Sequence, residues 1–537
     1  MNTFGLKLGR AVLVLSLGIA SAEAGETAVR RDIPHGPDEA LAAAFNVTNA
    51  LVVNEDNDHY FKYPSERMNA AGLRAYVDRL AQGHVTHVFF CASGQRASYA
   101  SRAVEPIWAG LAEPDQNGRT NNIWCVNAKK LHDAGIDPYA VWIARCREKG
   151  VSSGLTFRIN DVHYCFVPRY FRTSQFYRDH PDCRTSDNPT SDDWLSYTLD
   201  FAHAEVREQA LAVIAEQLDR YDVDTFELDW MRFPRHLRPG HETEGARFLT
   251  EVVARTRRLA DAAGARRGRR IALGVRVPSR PAAAQALGLD VASWVREGLV
   301  DLVVASCFFS SADFDIPVAD WKRLLGDRVA FLPEIAEGWS AGPGLSRRYN
   351  DYATYLGAAD ILRTRGADGF YLFNLPYGPE RVFESVCREG LGADALVRHG
   401  ARYPVTYHDV ATPWLDANIQ FPCTVSPERP ATLRLQAGDG VTGRAVRVRM
   451  EGDALPPTAR VTLNGCVGTR ETNDPKLALR EQDRGSGHVG EPGGHAFAFP
   501  AGAAHAGTNV LTITSPQTAI LRAAEVAFDN FVLISEP

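Results

Sequence analysis

Eight short apolar runs, alternating with stretches of helical periodicity, limit what residues 49–395 can fold into. The runs fall at 50–53, 86–91, 154–159, 223–230, 271–277, 300–308, 329–334 and 369–373. Helical stretches stand between them at 66–82, 127–149, 203–220, 242–263, 283–297, 318–325 and 352–365. Strands apolar on both faces, each followed by a helix, require a parallel sheet with both faces covered. Eight such units predict an α/β fold of the (β/α)8 TIM barrel type, closed rather than open. No glycine-rich phosphate motif follows the early strands, which argues against a nucleotide-binding sheet.

From about residue 402 helical periodicity stops, and short alternating runs recur at 432–436, 445–450, 460–463, 496–499, 509–513 and 531–534. Turn residues such as Asn464-Gly465 separate them. This spacing predicts an antiparallel β-sandwich, jelly-roll-like, over 402–537, serving as a carbohydrate-binding or structural module.

At the other end, Lys7 and Arg10 precede an apolar run over 11–20 and then Ala22-Glu23-Ala24. That order reads as a secretory signal peptide cleaved near Ala24, with residues 25–48 as a lead-in. The expected location is therefore secreted or periplasmic, with no transmembrane segment in the mature chain. The net charge is −6, and no basic stripe suggests a nucleic-acid partner. The run Arg266-Arg267-Gly268-Arg269-Arg270 reads as a solvated turn between helix and strand. Nine cysteines permit disulfides after export, and Cys165 with Cys183 is the expected pair. No cysteine–histidine spacing suggests zinc, and no cofactor is expected.

The chemistry concentrates in the fourth run, Tyr221-Asp222-Val223-Asp224-Thr225-Phe226-Glu227-Leu228-Asp229-Trp230-Met231-Arg232-Phe233-Pro234. Residues two apart on a strand share a face, so Glu227 and Asp229 point the same way. Two carboxylates at the carboxyl end of a barrel strand are costly to bury unless they are paired or working. The plain alternative is an ion pair with Arg232 or with an arginine on a neighbouring strand. The seventh run ends in Glu334, with Glu337 and Trp339 just beyond. Acids on two walls of one barrel mouth suit glycoside cleavage: one protonates the leaving oxygen, the other attacks or activates water. Asp229 and Glu334 are the expected catalytic pair, with Glu227 the competing acid. Arg158, Asn160, Asp161 and His163 on the third strand, together with Arg232, Arg276, Glu337, Trp339, Asn374 and Tyr377, are expected to bind the saccharide. Arg158 or Arg276 would keep one acid ionised. The loops after the second and third strands are dense in aromatic rings, suited to stacking on sugars. Asp56, Asp58 and His59 offer a weaker, metal-assisted alternative, and a barrel that binds glycan without cleaving it is the other rival.

The segment from Asp224 to Pro234 resembles the fourth-strand signature of bacterial glycosyl-hydrolase-like, "family 10-like", barrel proteins, in which a terminal Asp leads into an Arg-Phe-Pro turn. Phe157-Arg158-Ile159-Asn160-Asp161-Val162-His163 is similar to their third-strand segment. The resemblance covers 49–395 and implies a TIM barrel acting in polysaccharide breakdown. True family 10 xylanases carry Asn-Glu where this chain has Glu227-Leu228-Asp229, so acid and nucleophile roles do not transfer. Residues 507–513 resemble a late strand of galactose-binding-like jelly rolls.

Overall fold

A computed structural model of the chain describes residue 45 and residues 49–110, 122–167, 169–308, 311–408, 418–471 and 493–528. The expected signal peptide, the lead-in apart from Phe45, and the run at 531–534 lie outside the described residues.

The strands β1 (Ala50–Glu55), β2 (His87–Ser93), β3 (Ser152–Arg158), β4 (Thr225–Asp229), β5 (Ala272–Pro278), β6 (Leu302–Ser306) and β7 (Ala330–Ala336) come in chain order. A small hairpin, β8 (Gly338–Trp339) with β9 (Arg348–Tyr349), precedes β10 (Gly369–Phe373). All barrel pairings are parallel, and the sheet closes in the order β1-β10-β7-β6-β5-β4-β3-β2. This is the expected (β/α)8 closure.

Two expected helices are each broken in two. Residues 127–149 become Ile123–Asp133 and Pro138–Lys149, because Gly135 turns left-handed (φ +70°) and Asp137 caps a new start at Pro138. Residues 283–297 become Pro281–Ala286 and Val291–Arg296, interrupted at Gly288 (φ +80°), with Asp290 as the new cap.

The interior of the barrel is layered. Ala50, Val52, Phe89, Ala272, Leu302, Val304, Leu332 and Tyr371 form an apolar cluster separate from the main core. Gly154 makes room there: a Cβ on it would lie 2.4 Å from the Phe89 ring. Above this cluster, toward the carboxyl ends, the inward positions turn polar. Register sets Arg158 beside Asp229, Asp229 beside Arg276, and Glu334 beside Tyr371.

Beyond the barrel, helices Glu380–Glu389 and Ala393–His399 lead into antiparallel strands β11 (Ala401–Pro404), β12 (Cys423–Val425), β13 (Ala431–Ala437), β14 (Val446–Gly452), β15 (Arg460–Leu463), β16 (Cys466–Val467), β17 (Thr469–Arg470), β18 (Gly493–Phe499), β19 (Gly507–Thr514) and β20 (Ala519–Phe528). They form two sheets, β11-β20-β14-β18-β17 and β13-β19-β15-β16. Burial alternates along β13 and β19, as one-sided packing requires. These sheets fit a sandwich. They are fixed to the barrel by the Tyr403 hydroxyl donating to Asp360 (2.6 Å) and by Arg348 paired with Glu451 (2.7 Å).

The expected Cys165–Cys183 disulfide does not form; all nine cysteines are free. Cys165 instead accepts from Gln95 Nε2 at 3.0 Å, and Cys183 faces Glu205. The arginine run at 266–270 is a surface turn between helix and strand, as expected, and Arg266, Arg269 and Arg270 pair there with Asp219, Asp222, Asp224, Asp261 and Asp301. No helix among the described residues is long and apolar enough to cross a membrane.

Candidate active site

Two carboxylates meet on one guanidinium in the polar layer of the barrel, and a third lies below them. Arg276 on β5 donates from Nη1 to Asp229 Oδ1 (2.8 Å) and from Nε to Glu334 Oε2 (2.7 Å). The Met231 backbone N–H also donates to Asp229 Oδ1 (2.9 Å), and Ser306 Oγ donates to Glu334 Oε2 (2.5 Å). The Phe373 ring lies 4.1 Å from the guanidinium of Arg276. Burial alone would lower the pKa of Arg276, but Asp229 and Glu334 outweigh it and raise the pKa above the usual arginine value. Glu334 is raised, because its burial exceeds what Arg276 and Ser306 return. Glu227 is fully buried, one layer deeper. Its Oε1 accepts from Thr156 Oγ1 and the Tyr371 hydroxyl, both at 2.9 Å, and its Oε2 has no partner among the described residues. Burial, then the like charge of Asp229, pushes its pKa up to about 8.

Asp229 and Glu334 therefore converge, as expected of a pair from two walls. They differ from that expectation in access: the side chains of Asp229, Glu334 and Arg276 are each 1% exposed, and none lines the open cavity above. The cause is register. Arg276 lies level with Asp229 on the next strand, so it fills the space between the acids and acts as their counter-ion. The arginine-pair alternative weighed from sequence is thus realised, with Arg276 rather than Arg232.

The cavity lies at the carboxyl ends of the strands and encloses about 420 Å³. Of the residues expected to bind substrate, Arg158, His163, Arg232, Glu337, Asn374 and Tyr377 line it. Arg158 pairs with Asp56 (2.6 Å) and with Asp161 (3.3 Å) rather than with Glu227. Asp161 holds His163 Nδ1 at 2.5 Å, and His163 Nε2 lies 2.7 Å from Arg232 Nη2. With Nδ1–H directed at Asp161, Nε2 accepts from Arg232, so the ring is neutral; burial brings its pKa down to about 3.

The other expected binders lie elsewhere. Asn160 donates to the Leu199 and Arg235 carbonyls and accepts from the Leu199 N–H, so it pins the loop after β3. Trp339 is buried, with the Arg348 guanidinium 4.6 Å from its ring. Arg276 belongs to the layer below. Among the loop aromatics, Tyr164, Tyr170 and Phe171 line the cavity; Trp124 borders it but is buried, and Tyr99 and Tyr177 are core residues.

Lys62, Arg172 and Arg347 also line the cavity and were not singled out in the sequence. They come from loops after three different strands, and only their shared position at strand ends hinted at them. Asp56, Asp58 and His59 place ligand atoms within 4.8 Å of one another. However, Arg158 and Lys62 each stand 2.6 Å from one of the two acids, and those charges oppose a further cation.

No family model matches the chain, and no curated protein matches it. Among solved structures it is similar to alpha-L-fucosidase isoenzyme 2 from Paenibacillus thiaminolyticus, at 13% identity and TM-score 0.40, over 64% of this chain and 49% of that one. The chain thus matches about half the length of that fucosidase. It is also similar to the PgaB (BpsB) glycoside hydrolase domain from Bordetella bronchiseptica, at 12% identity and TM-score 0.41, over 64% and 99%. A third is the catalytic domain of psychrophilic chitinase B from Arthrobacter TAD20, at 9% identity and TM-score 0.38, over 64% and 94%.

Proposed function

We propose that this protein is an exported glycoside hydrolase that cleaves O-glycosidic bonds of a poly- or oligosaccharide at the carboxyl-end mouth of its barrel. One observation carries the reading: carboxylates from β4 and β7 meet on a single buried guanidinium beneath a ring-lined cavity. A raised Glu334 is suited to protonate the leaving oxygen. Asp229, whose Oδ2 accepts no hydrogen bond among the described residues, is suited to attack or to activate water. Arg158 lies level with Asp229 on the adjacent strand and Arg232 three residues beyond it, and both line the cavity. Substrate hydroxyls that draw these two side chains aside would open the way to Asp229. Asp229→Asn should abolish turnover while folding and glycan affinity persist. Retained turnover would refute the assignment.

The rival reading is a barrel that binds glycan without cleaving it. It is favoured by the fact that none of the three acids lines the cavity. Intact oligosaccharide after prolonged incubation with saturating protein would decide for it.

A further inference from the structure

Lys62, Arg158, Arg172, Arg232 and Arg347 bring five positive charges to the cavity wall, against the negative charges of Asp56, Asp58 and Glu337. The acids are already engaged: Asp58 with Lys62 (2.6 Å), Asp56 with Arg158 (2.6 Å) and Glu337 with Arg347 (3.0 Å). Behind the wall, Asp161 is shared, its Oδ2 taking Arg172 at 3.0 Å and Arg158 at 3.3 Å. Arg232 Nη2 stands 2.7 Å from the neutral Nε2 of His163. The guanidinium groups of Arg158, Arg172 and Arg232 are thus gathered about one Asp–His pair, and even with Asp161 counted, and Asp229 set against Arg276 in the layer below, the cations exceed the acids. All three side chains are largely desolvated, and among them Arg232 bears the cost of the surplus.

We propose that the saccharide bound here is anionic, carrying a carboxylate or a sulfate ester, and that Arg172 and Arg232 clamp that group. The inference rests on the glycan-binding site proposed above and names its substrate class. Guanidinium forks match planar carboxylates and sulfate-like oxyanions through paired hydrogen bonds. An anion beside Arg232 would also offset the effects of burial, and then of the Arg158 charge, that now push its pKa down. Tyr164, Tyr170 and Phe171 line the same wall, Tyr164 being exposed, and Arg172 follows Phe171 directly in the chain. Charge and stacking surface therefore stand side by side, as a charged sugar ring needs.

The test is calorimetric binding by the full chain to three oligosaccharides of matched length: a uronic-acid polymer fragment, a sulfated neutral fragment and an uncharged one. At least one anionic ligand should bind about tenfold or more tighter than the uncharged one, with affinity falling as salt rises. Arg172→Gln and Arg232→Gln should each lose roughly tenfold for the anionic ligand and little for the uncharged one. Arg172 sits on a loop, so its variant keeps the test valid if Arg232→Gln fails to fold. Which anionic fragment binds separates carboxylate from sulfate. Equal or tighter binding of the uncharged ligand, no binding of either anion, or unchanged anion affinity in both variants would overturn the inference. Product analysis of the same mixtures separates the two claims. Anion bound but uncleaved leaves this inference standing and removes hydrolysis. Uncharged fragment cleaved without anion preference does the reverse.

Discussion

Replacing Glu227 by Gln should remove the share of the stability loss between mildly acid and alkaline pH that this one carboxyl causes. In the folded chain Glu227 binds its proton with a pKa of about 8, against an ordinary value of 4.5. The folded value is raised, so the neutral form is the one the fold prefers. Its contribution is complete below pH 4.5, declines as pH rises toward 8, and is constant beyond. Linkage over that interval gives a loss of about 4 kcal/mol between pH 5 and pH 9 from this one group. Glutamine keeps the acceptor that Thr156 and Tyr371 use and cannot ionise. The other titrating groups are shared and cancel, so the difference in stability between wild type and variant isolates Glu227. The assay is urea unfolding at pH 5, 7 and 9, following the fluorescence of the buried Trp142, Trp230, Trp294 and Trp321, all of which report on the barrel. The variant should gain on wild type as pH rises. A difference that stays constant across the three pH values would refute the reasoning, because it would mean that Glu227 is already ionised in the fold. The same variant should keep turnover, since Glu334 is the proposed proton donor. Lost turnover would transfer that role to Glu227.

Arg276→Met leaves Asp229 and Glu334 buried without their shared counter-ion, and should cost roughly 3–5 kcal/mol, read as a lowered urea midpoint. An unchanged midpoint would show that the acids do not depend on Arg276. The free thiols should differ widely in reactivity: Cys466 is exposed, whereas burial pushes Cys91, Cys146 and Cys387 up to about 12. Maleimide at neutral pH should label Cys466 at once and those three only on unfolding. Early labelling of Cys91, which lies within the barrel, would contradict its placement.

The barrel was legible because its cause is local and repeated. A parallel strand covered on both faces must be apolar throughout, and the helix after it must show a stripe, so each unit announces itself. Helix ends were less legible: the breaks at Gly135 and Gly288 depend on one left-handed residue followed by a capping Asp, a signal hidden inside otherwise continuous periodicity. Cys165 and Cys183 showed the limit of spacing as a guide, since flanking one loop does not bring two sulfurs together.

In the site, strand alternation by itself put Glu227 and Asp229 on one face and Glu334 at the end of another wall. Which group would stand between them was decided only when strands paired. Parallel register set Arg276 level with Asp229, and the same closure brought Lys62, Arg172 and Arg347 from separate loops into one wall. Side-chain direction along a strand follows from backbone geometry, which the sequence carries. Neighbours across strands follow from how the barrel closes, and that sets both the access of the acids and the charge of the cavity above them.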